Sequence, residues 1–526
     1  MDMFKPTSCG MPSKFVDWRP MQSSALFALL DPDGKRFKAQ AHPTGAGKSV
    51  IYMAAAKSSR GRALILTSTK ALQDQLMRDF ESIGLVEIRG QTNYACKLAP
   101  SLPCSEGKCH YGKECRYKTG GCPYYDQLRK ASNASMVVTN YSYWMTMVKA
   151  SAMTENPLGE FGTMILDEAH DAPTHLMDFL TIGVDGKMFR DIIHENIPDH
   201  GQNLDRWKKW ANVCHSAVTR MLGGAVKNYS GVGVADLRTM SRLRELSRAF
   251  DELFTQTDRD WYFCLDAYGL RAGAIRPSFD KAEKHLFNGI QNVILMSATI
   301  RPRTMEMLGI LSEHYLFDDF PSMFPRERCP IHWIKTLRMN KNTSERDMLS
   351  TWIPHIDMII GRRLDRKGVV HTHSYERMYL FTKNSKHRDI MYSNNKWNTQ
   401  TIVEEFRKAE PPAVIASPTL STGWDFPMKD CEFQVIGKLP FPNISDGLLA
   451  HRVKESPGLI DYMTMQTLVQ TTGRGMRSAE DQCETFIVDD SIQWYMDRNR
   501  GLAPLWFLES FDGVGKRVIP APPPKL

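Results

Sequence analysis

The sequence predicts an α/β protein with two parallel-sheet domains, and three observations carry that prediction. The stretch His42-Pro43-Thr44-Gly45-Ala46-Gly47-Lys48-Ser49 has the spacing of a phosphate-binding loop that opens a helix. Short uninterrupted apolar runs such as Ala63–Leu66 and Thr163–Leu166 read as buried parallel strands ending in polar residues. The second half repeats the strand-then-polar pattern without a second phosphate loop, at Gly368–Ser374, Ala413–Asp425 and Thr485–Asp489. A chain of 526 residues is long enough for about two to four domains. Its net charge of +8 suits a polyanionic partner. No apolar stretch approaches a membrane span, and Met1 to Pro20 lacks a signal-peptide core, so a soluble intracellular protein is expected.

Within the loop, the backbone of Thr44, Gly45, Ala46 and Gly47 is expected to wrap phosphate. Lys48 would reach the terminal phosphates, and Ser49 would offer its hydroxyl to Mg²⁺. His42 stands where the usual pattern carries a small residue. Upstream, Arg19-Pro20-Met21-Gln22 leads into a helix, and an amide placed there can both donate to and accept from an adenine edge. Thr67, Ser68 and Thr69 follow the strand at Ala63. They are candidates for nucleic-acid backbone contacts, and also for capping the helix over Ala71–Phe80.

Five cysteines lie between Cys96 and Cys122, interleaved with Lys and Arg: Cys96, Cys104, Cys109, Cys115 and Cys122. So many thiols in a cytosolic chain predict a metal-stapled insertion, and four thiolates suit zinc or an iron–sulfur cluster equally. Ser135–Tyr141 reads as a further strand. The strand at Thr163 then runs into Asp167-Glu168-Ala169-His170. Asp167 is placed to hold Mg²⁺, and Glu168 to orient and deprotonate an attacking water.

From Asp171 to about Lys284 the pattern is helical and basic, with few strand candidates, until Asn292–Met296 ends in Ser297-Ala298-Thr299. In the second half His373, Ser374, Ser417 and Thr419 occupy strand ends suited to a nucleic-acid backbone, and Gly423 and Asp425 follow. Gln470-Thr-Thr-Gly473-Arg474-Gly475-Met476-Arg477 is expected in one helix. There Arg474 and Arg477, three residues apart, would share a face and clamp a γ-phosphate.

In this order the segments resemble superfamily 2 helicases, and the cysteine insertion and helical insertion make the resemblance specific to the XPD/DinG group of iron–sulfur DNA helicases. The matching pieces run from Arg19 to Arg477. The resemblance implies two RecA-like motor domains with ATP and Mg²⁺ between them, the first occupying 1–90, 131–171 and 286–305. A [4Fe–4S] insertion at 91–130 and a helical arch at 172–285 interrupt it, and the second motor domain occupies 306–526. It implies 5′ to 3′ movement on single-stranded DNA, unwinding of forked DNA and action as a monomer. No fused nuclease domain is expected ahead of Phe15.

Lys48, Asp167 and Glu168 would run hydrolysis, with Arg474 and Arg477 as arginine fingers and Gln470, Gly423 and Asp425 at the same interface. Cys96, Cys104, Cys115 and Cys122 would hold the cluster, because Asn-Tyr-x-Cys and Cys-Pro-Tyr-Tyr bracket the insertion and Cys104-Ser-Glu-Gly resembles a ligand segment. Cys109 would be spare. The alternatives are a nucleotide-gated nucleic-acid binder that separates no strands, and an RNA helicase. A cytoplasmic site of action is expected, and the compact length suits a virus-encoded protein.

Overall fold

The computed structural model describes residues 5–521 apart from 32–33, 152–153, 230–233, 422–423, 425, 427 and 476–480. Arg477, Gly423 and Asp425 therefore lie outside the described residues.

Two seven-stranded, wholly parallel sheets form the frame. The first runs Tyr315–Asp319, Phe37–Ala41, Asn292–Ser297, Thr163–Asp167, Ala63–Thr67, Met136–Asn140 and Leu85–Glu87. The second runs Met391–Ser393, Ala413–Ser417, Lys367–His371, Phe433–Ile436, Glu484–Ile487, Ile331–Ile334 and Phe511–Lys516. Central strands such as Ala63–Thr67 and Ala413–Ser417 are buried along their whole length, which is why they read as unbroken apolar runs. Among the described residues no helix is long and apolar enough to cross a membrane.

Phe37–Ala41 is buried along its whole length too, although its sequence alternates with Lys38 and Gln40. Both polar ends are satisfied by the helix Gln22–Leu30. Lys38 Nζ donates to the carbonyls of Leu29 (2.7 Å) and Asp31 (3.0 Å), and Gln40 Nε2 to that of Ala25 (3.0 Å). A cation at a helix carboxyl end offsets the cost of its burial.

Two sequence expectations are corrected. Tyr315–Asp319 pairs with Phe37–Ala41 at the edge of the first sheet, so a division at 305 falls ahead of that sheet's last strand. The insertion beyond Asp171 is not purely helical. Besides the long helices Leu204–Asn228 and Val234–Gln256, it folds an antiparallel sheet of Thr181–Asp185, Gly269–Ala274 and Trp261–Asp266. Thr181–Asp185 is only half-buried, with alternating exposure, and carries no apolar run to announce it.

The insertion bridges its neighbours. At one end Arg244 donates to the Ser105 carbonyl (2.8 Å) and lies over the Tyr111 ring of the cysteine segment. At the other, Arg271 pairs with Asp446 (2.6 Å), Arg452 donates to the Ala274 and Met177 carbonyls, and Tyr262 stacks on His451.

Candidate active site and nucleic-acid track

The phosphate loop follows the strand Phe37–Ala41 and opens the helix Lys48–Ser58. Gly47 has φ +71°, and a Cβ there would lie 2.6 Å from Gln22 Nε2, so the position demands glycine twice over. Gln22 is buried with its amide fully engaged. Its Oε1 accepts from the Arg19 backbone N–H (2.8 Å), and its Nε2 donates to the carbonyls of Ala46 (2.8 Å) and Gly47 (3.3 Å). In this state the amide shapes the loop, and the adenine role expected of Gln22 is a proposal. His42 is also structural. It stacks on Phe320 at 4.2 Å, meets Gln40 Oε1 at 3.0 Å, and is held neutral with its pKa pushed down to about 3 by burial and by Lys48.

A cavity of 320 Å³ opens over the loop, lined by Arg19, Lys48, Ser49, Tyr52, Asp167 and Glu168 among others. Asp167 ends the strand Thr163–Asp167 with its side chain buried. Burial, reinforced by the neighbouring Glu168, pushes its pKa up to about 7 against the pull of Lys48. Tyr52 Oη donates to its carboxylate (3.2 Å), and Tyr141 Oη to its backbone carbonyl (2.9 Å). Neither tyrosine is flagged by any sequence motif. A costly carboxylate beside a lysine, open to a cavity, is what a divalent cation would relieve. Thr44, Gly45, Ala46, Gly47, Lys48 and Ser49 thus gather beside Asp167 and Glu168.

Glu168 sits in the left-handed region at φ 49°, a strained backbone for glutamate. Burial works to raise its carboxyl, but Lys48, His170, Ser297 and Arg474 outweigh it and hold the group below the usual range. Ser297 Oγ donates to Glu168 Oε2 (3.1 Å), His170 Nδ1 meets Ser297 Oγ (2.6 Å), and Gln470 Nε2 meets His170 Nε2 (2.5 Å). A hydrogen-bond chain thereby runs from the ionised carboxylate to the second domain.

Other contacts close the same seam. Gln466 Nε2 donates to the Thr299 carbonyl (2.8 Å), and a Cβ on Gly473 would lie 2.6 Å from Thr44 Oγ1. The helix Leu459–Thr472 ends before Arg474, contrary to the one-helix expectation. Arg474 stands in the following turn, its guanidinium donating to the carbonyls of Ser421 (3.2 Å) and Trp424 (2.8 Å) while its charge reaches Glu168.

The strand ends of both sheets carry matching turns. Thr69 Oγ1 caps its helix by accepting from Leu72 N–H (3.2 Å), and Ser374 Oγ accepts from Arg377 N–H (3.2 Å). Thr67 is fully buried, whereas Ser68 Oγ is buried with no partner. Ser417 Oγ accepts from Thr419 N–H (3.1 Å). His373 is held neutral beside Ser374. Burial, His371, Lys438 and Arg377 push its pKa down to about 3, so it brings no charge to a phosphate. The cations at this point are Arg377 and Lys438, which sequence reasoning missed because they follow rather than form the polar strand ends.

The five cysteines line one small cavity together with Tyr117, Tyr124 and Tyr125. Cys104 Sγ lies 3.9 Å from Cys122 Sγ, and burial with Cys122 and Cys96 pushes its pKa up to about 12. Gly107 leaves room beside Cys96 and Cys109: a Cβ there would lie 3.5 Å from each sulfur. Among the described residues no three ligand side chains converge on a single ion. The five thiols line the cavity as a shell, a donor set suited to a group held by several thiolates. Cys109 shares the shell, so position does not set it apart from Cys96, Cys104, Cys115 and Cys122.

Two family models match the chain: DEAD/DEAH box helicase over residues 19–179 and helicase C-terminal domain over 362–504. No curated protein sequence matches it. Among solved structures it is similar to an XPD helicase at 14% identity, over 92% of this chain and 97% of that one, with a TM-score of 0.61. It is also similar to Xpd4 of S. tokodaii at 15% identity, over 91% and 97%, with a TM-score of 0.59. An apo XPD gives 15%, 91%, 97% and 0.58. Helicase family models thus match parts of both sheet domains, and the chain has the fold of the XPD structures.

Proposed function

We propose that the protein is an ATP-driven motor that moves 5′ to 3′ on single-stranded DNA and separates forked duplexes. One observation carries the reading: Glu168, held ionised, is joined through Ser297 and His170 to Gln470 of the second motor domain. A binder that only senses nucleotide needs Lys48 and a closing seam, but no general base held ready beside them. Lys48, Ser49 and the backbone of Thr44 to Gly47 bind the phosphates and Mg²⁺, and Asp167 shares the cation. Glu168 takes the proton of the attacking water. Gln470 and Arg474 couple hydrolysis to closure of the second domain, Arg474 as an arginine finger; Arg477, Gly423 and Asp425 are proposed for the same roles from the sequence pattern alone.

DNA runs over Thr67, Ser68 and Thr69 on one motor domain and over Ser374, Ser417 and Thr419 on the other, with His373 shaping the second surface. Cys96, Cys104, Cys115 and Cys122 hold a [4Fe–4S] cluster, which would brace the insertion between motor and arch. The domain division follows the expected ranges, with the first motor domain extended through Asp319.

Strand displacement on forks with a 5′ or a 3′ tail, in DNA and matched RNA, tests the motor. ATP-dependent separation of the 5′-tailed DNA fork is expected. Separation of neither fork would leave the nucleotide-gated binder, and preference for RNA would overturn the substrate. For the cluster, anaerobically purified protein should be coloured and contain iron, because zinc with its filled d shell absorbs no visible light. A colourless, zinc-bearing protein would overturn that part alone.

A further inference from the structure

We infer that Trp397 is a base-stacking platform for single-stranded nucleic acid at the outer edge of the second motor domain; the inference rests on the single-strand reading above. Its side chain is 92% exposed, whereas Trp144, Trp207 and Trp352 are fully buried. An indole is the largest apolar side chain, and leaving one in water forgoes its full burial energy.

The loop that carries it is built, not slack. Asn395 Oδ1 accepts from the backbone N–H groups of Trp397 (2.8 Å) and Asn398 (3.1 Å), while Asn398 Oδ1 accepts from Asn395 N–H (2.6 Å). These reciprocal Asx bonds fix the turn before any ligand arrives. Fixing the backbone that carries the indole lowers the ordering cost of binding.

The loop is also tied to the proposed track. It follows the edge strand Met391–Ser393, which pairs with Ala413–Ser417. Asn394 is only 2% exposed. Its Nδ2 donates to Thr399 Oγ1 (2.8 Å) and Thr419 Oγ1 (3.4 Å), yet its Oδ1 is buried with no partner. An acceptor left unmatched beside Thr419 is costly unless a ligand or solvent donor meets it. Lys396, exposed next to the indole, supplies the positive charge that a phosphate backbone seeks. An aromatic face, an adjacent cation and an unmatched acceptor on the track together suit unpaired bases, which stack without sequence preference.

The test is fluorescence anisotropy of the full-length chain with labelled oligothymidylate, and with the same strand carrying abasic positions, without ATP. Trp397→Ala should weaken binding of the intact strand by about 5- to 150-fold, the range that stacking of one base implies. Trp397→Phe should retain most of the affinity. The wild-type advantage over Trp397→Ala should shrink towards unity on the abasic strand, and basal ATP turnover without nucleic acid should be unchanged. Equal affinities of wild type and Trp397→Ala for the intact strand would overturn the inference and leave the indole to a protein partner. An equal loss on the abasic strand would also overturn it, because base stacking would not be the cause. A wild-type protein that binds no single strand would refute the motor reading itself, which is a different result.

Discussion

The two motor domains use one strand-end turn for two purposes. Ser297-Ala298-Thr299 ends a central strand of the first sheet, and Ser417-Pro418-Thr419 ends one in the second. In both, the serine hydroxyl accepts from the threonine N–H at 3.1 Å. From there the wiring diverges. Each serine also meets its threonine hydroxyl, but Ser297 donates to Glu168 and meets His170, whereas Thr419 Oγ1 meets Asn394. The turn belongs to the fold, and its outward contacts are what differ between the two domains.

Buried carboxylates differ between the domains in the same way. Glu484, at the start of a strand of the second sheet, is clasped by Arg363 through two bonds of 2.7 and 2.8 Å, with Arg366 at 3.3 Å. Its charge is fully matched by the protein, so its role is structural. Glu168 keeps 26% of its side chain exposed and faces a cavity, so its charge is available to a ligand.

The sharpest way to break this comparison is to neutralise each carboxylate. Glu168→Gln should cut ATP turnover about a hundred- to ten-thousand-fold, the usual worth of a general base, while nucleotide still binds. Turnover near wild type in a steady-state ATPase assay would remove Glu168 from the chemistry. Glu484→Gln strands two buried guanidinium groups. It should cost the second domain about 3–5 kcal/mol, read as an earlier denaturation transition of that domain. An unshifted transition would mean that the clasp contributes nothing.

Ser297→Ala and Ser417→Ala sharpen the contrast on a smaller scale. Ser297 is one of the groups holding the Glu168 carboxyl low, so its loss should raise that pKa. The base must be deprotonated to act. The acid limb of the ATPase pH profile should therefore move to higher pH in Ser297→Ala and stay in place in Ser417→Ala. Matching profiles for the two variants would mean that the turns are equivalent after all.

Much of this frame was legible because local sequence carried it. Ala63–Thr67 and Thr163–Asp167 announce themselves as apolar runs, and the phosphate loop depends on eight consecutive residues. Phe37–Ala41 was illegible because Lys38 and Gln40 are buried only by virtue of carbonyls on another helix. Tyr315–Asp319 is a half-buried edge strand whose apolar run, Tyr315-Leu316-Phe317, stops after three residues at two aspartates. The site divides likewise. Lys48, Asp167 and Glu168 follow from motif chemistry, whereas the His170–Gln470 contact joins residues 300 apart and exists only once the domains pack. The contact of Gln22 with the loop's own carbonyls was not legible, because nothing local shows that the helix and the loop meet there.

The smallest expected effect lies at His42, where the first domain departs from the usual loop pattern. The ring stacks on Phe320 just beyond the edge strand Tyr315–Asp319, so it pins that strand's exit to the loop. Its neutral form is favoured in the folded state, where its pKa is pushed down to about 3, against about 6.5 when unfolded. A depressed histidine contributes stability that is fully present above about pH 6.5. That contribution falls by about 1.4 kcal/mol per pH unit once the unfolded chain takes up the proton that the folded chain refuses. His42→Gln loses the stacked ring, worth about 0.5–1.5 kcal/mol, and also the titration. At pH 8 the variant should therefore be slightly less stable than wild type, with ATP turnover retained. Between pH 7 and pH 5 wild type should lose stability faster, so the gap should close and then reverse. Chemical denaturation of both proteins at several pH values measures the gap. A gap that does not change with pH would mean that His42 is protonated in the folded protein, and that the loop tolerates a cation beside Lys48.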